Sequence, residues 1–315
     1  MSRLPAVSVI VATYNRAELL CATIDSILQQ RFQDYELIVV DDGSTDNTRA
    51  ALEGFGSRLR YLYQENRGPS AARNLGVRHA QGRWISIQDS DDLCAPNHLE
   101  YLHGYARDHS ECGMVFANGG YLGGPEHERD TIIPPTKSRR LAAQGVQLTD
   151  IFDKSIVRLQ AALISKAVYD AVGGHDESLR ICMDLDLAFR LFMNFPVSYL
   201  DDVVFFYRRH EGNSSRNEEL RLTENIRVIE KLLAQYKTAR ALLGDKRVAA
   251  RLAYRYYRLA KGRHKHGRHK EAQDAIRQAS LLRPMKLKYQ FYRFSVGIIL
   301  ACVSLVTLSA EHAVT

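Results

Sequence analysis

The sequence is poor in cysteine and proline and has a single tryptophan: 5 Cys, 8 Pro and 1 Trp among 315 residues. The cysteines (Cys21, Cys94, Cys112, Cys182, Cys302) stand singly, without a Cys-x-x-Cys pair. That excludes a disulfide framework and a zinc ribbon and fits a reducing compartment. No long apolar run follows the Met-Ser-Arg-Leu-Pro start, so no secretory signal is expected and the bulk of the chain is expected in the cytosol. With 45% hydrophobic and 25% charged residues, the chain is neither collagen-like nor disordered. Its length suits about two domains, each able to bury a core.

Charge of one sign is scarce in each part of the chain in turn. Residues 1–207 hold 20 Lys+Arg against 27 Asp+Glu, a net of −7, and residues 208–315 hold 23 against 9, a net of +14. An acidic front suits metal or polar-ligand chemistry; a basic rear suits a polyanionic partner, membrane or nucleic acid. The rear carries no nucleic-acid module or aromatic platform, so no nucleic-acid partner is expected.

Val7-Ser-Val-Ile-Val-Ala12 is β-branched and nearly all apolar, as for a parallel strand covered on both faces. Asn15 follows as an N-cap candidate for a helix whose Leu19, Leu20, Ile24, Ile27 and Leu28 recur at helical spacing. Glu36-Leu-Ile-Val-Val40, Arg60-Tyr-Leu-Tyr63 and Trp84-Ile-Ser-Ile-Gln88 read as further strands, with a helix over 69–80. Strands spaced by helices predict an α/β fold with a doubly wound, mainly parallel central sheet, whose ligands bind beyond the carboxyl ends of the strands. Polar clusters fall at those ends, over 13–16, 41–46 and 89–92. Strands at 114–117, 161–165 and 203–207 and a helix from about Asp184 follow, and 119–145 reads as a long irregular segment. After Arg216 the pattern is helical, and 256–284 resembles one tetratricopeptide-type helix pair, an appendage rather than a solenoid. Residues 294–310 carry no charge, the lower limit of the roughly 17–25 residues a membrane span needs. Arg283, Lys286, Lys288 and Arg293 precede them and would hold that side in the cytoplasm. Ser295, Ser304, Thr307 and Ser309 fit a buried terminal helix instead.

Asp89 and Asp91 alternate at a strand end, so an extended backbone directs both carboxylates to one side. A hard divalent cation, Mg²⁺ or Mn²⁺, is the natural occupant; the plainer reading is an acidic turn with Asp92 capping the next helix. Asp41 and Asp42 end the second strand, where an acidic residue commonly binds a ribose or base, and Gly43 to Asp46 also serve as turn and cap. Arg73, beside Asn74, is either a surface cation or one that approaches a diphosphate. Tyr207-Arg-Arg-His210-Glu-Gly-Asn-Ser214-Ser215 is rich in phosphate-binding groups, with His210 either a third metal ligand or a loop histidine. His264, His266 and His269, interleaved with Arg and Lys, read as a solvated loop.

Taken in order, these segments resemble the family 2 glycosyltransferases, which have the GT-A fold. The matching residues are Val7-Ser-Val-Ile-Val-Ala-Thr-Tyr-Asn-Arg16, Asp41-Asp-Gly-Ser-Thr-Asp46, Asn66-Arg-Gly-Pro-Ser-Ala-Ala-Arg-Asn-Leu-Gly76, Asp89-Ser-Asp-Asp92, Gly173-Gly-His-Asp-Glu-Ser-Leu179 and the segment 207–215. The resemblance covers roughly residues 5–215. It implies a catalytic domain over 1–215 and a basic helical region over 216–315. The implied activity is inverting and metal-dependent: a sugar moves from a nucleotide-diphosphate donor, UDP by default, to a hydroxyl of a glycan or lipid-linked acceptor. The implied setting is cell-surface polysaccharide synthesis at the cytoplasmic membrane face, and the resemblance leaves room for a homodimer.

The same resemblance assigns Asp42 to the base or ribose, with Thr13 and Asn15 nearby, and Asp89 and Asp91 to the metal–diphosphate, Asp91 as the direct ligand. It assigns Arg73 to nucleotide positioning, and Arg208 and His210 to closure over the diphosphate. In the family a Glu-Asp pair opens a helix and its Asp takes the acceptor proton. Here Met183 replaces the Glu and Asp184 holds the base position; plain helix N-capping is its simpler role. Met183 also supports the alternative of a nucleotide-sugar-binding or scaffold protein with a degenerate acceptor site.

Overall fold

The structure, a computed structural model, describes residues 4–122, 131–210 and 217–312; residues 211–215 of the last family-like segment lie outside them. The chain divides into two compact units, Met1–Asn213 and Ser214–Thr315. In the first, β1 (Val7–Thr13), α1 (Ala17–Leu28), β2 (Tyr35–Asp41), α2 (Thr48–Glu53), β3 (Arg60–Tyr63), α3 (Pro69–His79) and β4 (Trp84–Asp89) alternate. They lead into β5 (Leu93–Cys94), α4 (His98–Asp108), β6 (Met114–Leu122), α5 (Pro135–Gln144) and α6 (Leu148–Lys154). The unit closes with β7 (Ala162–Ser165), α7 (Lys166–Ala171), α8 (Met183–Asn194) and β8 (Val197–Arg208).

The eight strands form one sheet in the order β3-β2-β1-β4-β7-β6-β8-β5. From β3 to β4 every pairing is parallel, and so is β6 with β8; β7 runs antiparallel to both β4 and β6, and β5 to β8. The sheet is therefore mixed, with its parallel half made by the run of βαβ units read from the sequence. Val7, Val9, Ile10 and Val11 are at most 1% exposed, because helices cover both faces of the central strand. Leu20, Ile24 and Ile27 of α1 and Leu99 and Leu102 of α4 join Val9, Val11, Leu37 and Val39 in one core cluster. On the other face α3 lies close: a Cβ at Gly76 would stand 2.4 Å from Ile10 Cγ2 and 3.2 Å from Val40 Cγ2.

Register sets the strand ends level. Thr13 pairs with Asp41 and Ala12 with Asp89, so the polar clusters stand side by side along one edge. Gly43 turns the chain there at φ +80°, where a Cβ would press within 2.7 Å of the Asn66 nitrogen. Only glycine meets both demands.

Local expectations are corrected at four places. Asn15 caps no helix: Arg16 holds the N-cap position, and Asn15 takes φ +50° to reach the 44–46 turn. Asp92 caps nothing either, because the next helix begins at His98 behind Asn97. The stretch expected to be irregular contains α5, started by Pro135 in the first turn, where the missing N–H costs no helical bond. Asp184 sits inside the first turn of α8, with Cys182 at the N-cap.

The second unit consists of α9 (Glu218–Gln235), α10 (Lys237–Leu243), α11 (Asp245–Lys265), α12 (His269–Leu282) and α13 (Leu287–His312). Helices α11 and α12 form a hairpin that buries Ala253, Ala260, Ala272, Ala275 and Ala279. Glu219 of α9 ties it down through Arg263 at 3.2 Å and through Arg268. Among the described residues no helix is long and apolar enough to cross a membrane.

Gly76→Ala tests the close seating of α3. The added methyl meets Ile10 without room to retreat, so the expected loss of stability in urea unfolding is about 1–3 kcal/mol, against the slight gain that Gly→Ala gives in an open helix.

Candidate active site

Two groups of side chains occupy the carboxyl edge of the sheet. The first is a set of clasps. Asp42, 3% exposed, accepts from Gln64 Nε2 at 2.7 Å and from the backbone N–H of Arg67 and Gly68, both at 2.9 Å. Its carboxylate thus shapes the loop that launches α3. Asp41 accepts from the Ser44 N–H and the Tyr61 hydroxyl, both at 2.8 Å, and burial followed by that carboxylate pushes the phenol up to about 12. Asn15 Oδ1 accepts from the Thr45 N–H at 2.7 Å while its own N–H donates to Ser44 Oγ at 2.9 Å. Thr13 Oγ1 lies buried with no hydrogen bond.

The second group is a ledge of carboxylates. Asp89, Asp91 and Asp92 bring ligand oxygens within 4.8 Å of one another. Asp91 Oδ2 takes Arg16 Nη1 and, at 2.8 Å, His210 Nε2. Asp89 takes Arg73 Nη2 on one oxygen and Gln160 Nε2 on the other. Asp92 Oδ1 accepts the Arg208 N–H at 2.9 Å, while its Oδ2 is buried without a partner. Burial, then Asp89 and Asp91, push Asp92 up to about 9. Asp89 is also raised, by burial and by Asp91 and Asp184, against the pull of Arg73. Crowded, partly orphaned carboxylates whose like charges repel fit a hard divalent cation with oxygen ligands.

Arg73 joins this ledge to α8. It lies one turn before Gly76 on the face of α3 that meets the sheet, and its buried guanidinium reaches Asp89 with Nη2 and Asp184 Oδ1 with Nη1 at 2.8 Å. Burial opposes the charge of Asp184, but Arg73 overrides it and holds the carboxyl at about 2. Asp184 remains 24% exposed, so its carboxylate is reachable. Met183, the neighbour that breaks the family pattern, turns away: it is 6% exposed and its Sδ accepts from Ser70 Oγ at 3.3 Å.

The structure therefore gathers Arg73, Asp89, Asp91, Asp184 and His210 into one continuous network. Thr13, Asn15 and Asp42 stand along the same edge, and Arg208 enters through its backbone. Sequence reasoning missed Arg16, Gln160 and His175, and made Asp92 a cap only in the plainer reading of the 89–92 cluster. Arg16 had a signal, since it ends the first family-like segment. His175 had the same kind of signal, inside the family-like segment 173–179, whereas Gln160 arrives from a short turn with no periodicity to mark it.

A model of the family described as Glycosyl transferase family 2 matches residues 8–164. Glycosyltransferase GlyG of Streptococcus pneumoniae is 30% identical over 226 residues, covering 67% of this chain and 73% of that protein. The UDP-Glc:alpha-D-GlcNAc-diphosphoundecaprenol beta-1,3-glucosyltransferase WfgD of Escherichia coli is 43% identical over 96 residues, 30% of this chain and 38% of that one. Among solved structures, S. aureus TarS in complex with UDP-GlcNAc superposes with a TM-score of 0.68 at 20% identity, over 92% of this chain and 88% of that chain. That likeness shows a shared GT-A-type fold.

The depressed pKa of Asp184 carries a stability signature. Its folded value, about 2, lies below the ordinary 3.8, so the ion pair stabilises fully above the ordinary value and is lost as pH falls through the folded one. Asp184→Asn should cost roughly 2 kcal/mol at neutral pH, and its deficit against the parent in urea midpoints should shrink as pH is lowered from 5 to 3. A deficit that stays constant would show that Asp184 contributes through packing rather than charge.

Proposed function

Because the chain belongs to glycosyl transferase family 2, we propose that this glycosyltransferase moves a sugar, with inversion and with a divalent metal, from a UDP-linked donor to an acceptor hydroxyl. The observation that carries the proposal is the pairing of a carboxylate ledge with Asp184 through a shared arginine. Residues 1–215 hold the chemistry. Asp91 and Asp89, with Asp92 and His210 beside them, would hold Mg²⁺ or Mn²⁺, which supplies positive charge to the leaving diphosphate. Asp42, Thr13 and Asn15 frame the place for the base and ribose, and Arg208 and His210 stand where a diphosphate would be covered. The complex of TarS with UDP-GlcNAc supports UDP, and the name of WfgD supports a lipid-linked glycan acceptor in polysaccharide synthesis.

Asp184 acts as the base. A carboxylate takes the acceptor proton only as attack on the sugar develops, and a base on the face opposite the diphosphate gives inversion without a covalent intermediate. Arg73 restrains it at rest. A donor diphosphate competes for the same guanidinium, which loosens its hold on Asp184 when substrate is present. The reading of a degenerate binding protein rested on Met183; a side chain packed against Ser70 rather than lining the site weakens that support.

Thermal denaturation with UDP-GlcNAc and other nucleotide sugars, each with Mn²⁺ or chelator, tests the proposal through ligand linkage. A metal-dependent rise in Tm is expected for the UDP-sugar and is expected to vanish in Asp91→Ala. Asp184→Ala should keep the rise and lose turnover by about a hundredfold or more. Full turnover in that variant would remove Asp184 from the role of base.

The second unit supplies the proposed membrane contact, at the cytoplasmic face. Leu287, Phe291, Phe294 and Ile298 of α13 are 70%, 70%, 71% and 48% exposed, and their spacing puts them on one face of the helix. Arg283, Lys286, Lys288 and Arg293 flank them, the composition of a helix lying in an anionic lipid interface. Co-sedimentation of the full chain with phosphatidylglycerol vesicles, weakened by salt and lost in Phe291→Glu/Phe294→Glu, is the expected result. Equal binding to phosphatidylcholine vesicles would count against the electrostatic part.

A further inference from the structure

His175 stands behind Asp184 and has no part in the roles assigned so far. Its side chain is fully buried and Asp184 Oδ1 lies 3.9 Å from its Nε2, yet that nitrogen makes no hydrogen bond. The bonds around it fix its tautomer. Asn74 Nδ2 donates to the His175 carbonyl and to Glu177 Oε1, both at 3.0 Å, so Asn74 Oδ1 is an acceptor. It receives the Tyr169 hydroxyl at 2.7 Å and the His175 N–H at 2.9 Å. Tyr169 has a single proton to give, so the 2.6 Å contact between its oxygen and His175 Nδ1 is donated by Nδ1–H. The neutral imidazole therefore presents a bare Nε2 lone pair to the carboxylate. Lone pair faces lone pair across the gap, and one proton would bind the two groups together.

We propose that His175 is a positioning residue that receives, through Asp184, the proton of the acceptor hydroxyl. This rests on the reading of Asp184 as the base. As the acceptor oxygen bonds to the anomeric carbon, the bond from that carbon to the diphosphate breaks and its electron pair leaves with the diphosphate. The hydroxyl proton passes to the Asp184 carboxylate and, after rotation about Cβ–Cγ where needed, on to Nε2. Asp184 is then an anion again, and His175 an imidazolium whose Nδ1–H stays on Tyr169. The charged and titratable groups facing the ring are Asp184, Arg73, Arg190 and Tyr169. Burial, with Arg73 and Arg190, outweighs the attraction of Asp184 and holds His175 at about 4, which keeps it neutral at rest. Arg73 Nη1 on Asp184 Oδ1 weakens the hold of the carboxylate on a proton, and the bare Nε2 behind it gives that proton a second place to go.

Two readouts on the full chain test this. Nitrogen-15 NMR of histidine-labelled protein, with His175 assigned by its loss in His175→Asn, should show a neutral imidazole protonated on Nδ1 at pH 7. An Nε2–H tautomer or an imidazolium there overturns the proposal, whatever the donor proves to be. The second readout is UDP release from UDP-GlcNAc with Mn²⁺. His175→Asn keeps an amide donor near Tyr169 and removes Nε2, so kcat should fall about tenfold or more while the donor KM and the Tm stay as in the parent. Unchanged kcat overturns the proposal. If the parent does not turn over UDP-GlcNAc, the donor reading fails and the NMR result decides the role of His175 by itself. Should His175→Asn misfold, Tyr169→Phe retains the ring and removes the hydroxyl that fixes its tautomer. A mixed tautomer with reduced kcat supports the relay, and parental behaviour in both measurements overturns it.

Discussion

One guanidinium, that of Arg73, is shared between Asp89 at the end of β4 and Asp184 in the first turn of α8. Burying a cation in this way is tolerable only because both carboxylates reach it, and each carboxylate in turn is shifted by it. The position of that guanidinium depends on the seating of α3, which depends on the missing side chain at Gly76 and on the loop that Asp42 organises. A helix–sheet distance and a charge balance are therefore one constraint. A change that lifted α3 would separate the two halves of the site before it unfolded anything.

The parallel half of the sheet was legible because its strands are apolar on both faces and end in polar clusters, which is how buried parallel strands differ from their loops. Asp89, Asp91, Asp184, Arg73 and His210 were legible as positions within ordered segments. What was not legible has a common cause. Gln160 meets Asp89 across the fold with nothing beside it to announce the contact, and His175, although inside a family-like segment, gives no sign there that it faces Asp184. The plainer reading of Asp92 fails because a carboxylate before a helix looks like a cap until the backbone shows where the helix starts. Asn15 was misjudged because its left-handed φ is invisible in a sequence. The mixed right half of the sheet, with β7 antiparallel between β4 and β6, could not be read from strands this short.

The division of charge along the chain acquires a physical reason. Part of the acidic excess of the front lies where Asp89, Asp91 and Asp92 crowd together and draw positive groups to them. The basic excess of the rear is spread over helices in which several acidic residues are already paired, as Glu219 is with Arg263 and Arg268. One region is short of positive charge and the other has it in surplus, so each is suited to a different kind of ligand.

Asp91 is held from both ends of the first unit, by Arg16 near its start and His210 near its finish, and β5 pairs with β8 at the edge of the sheet. During synthesis a ribosome must therefore complete almost the whole unit before the ledge can close. A nascent chain halted before residue 197 already has β1 to β4 and can pair them, but nothing secures Asp91 and Asp92 from the far side. The order in which the chain emerges thus delays the assembly of the carboxylate ledge until the scaffold around it has formed.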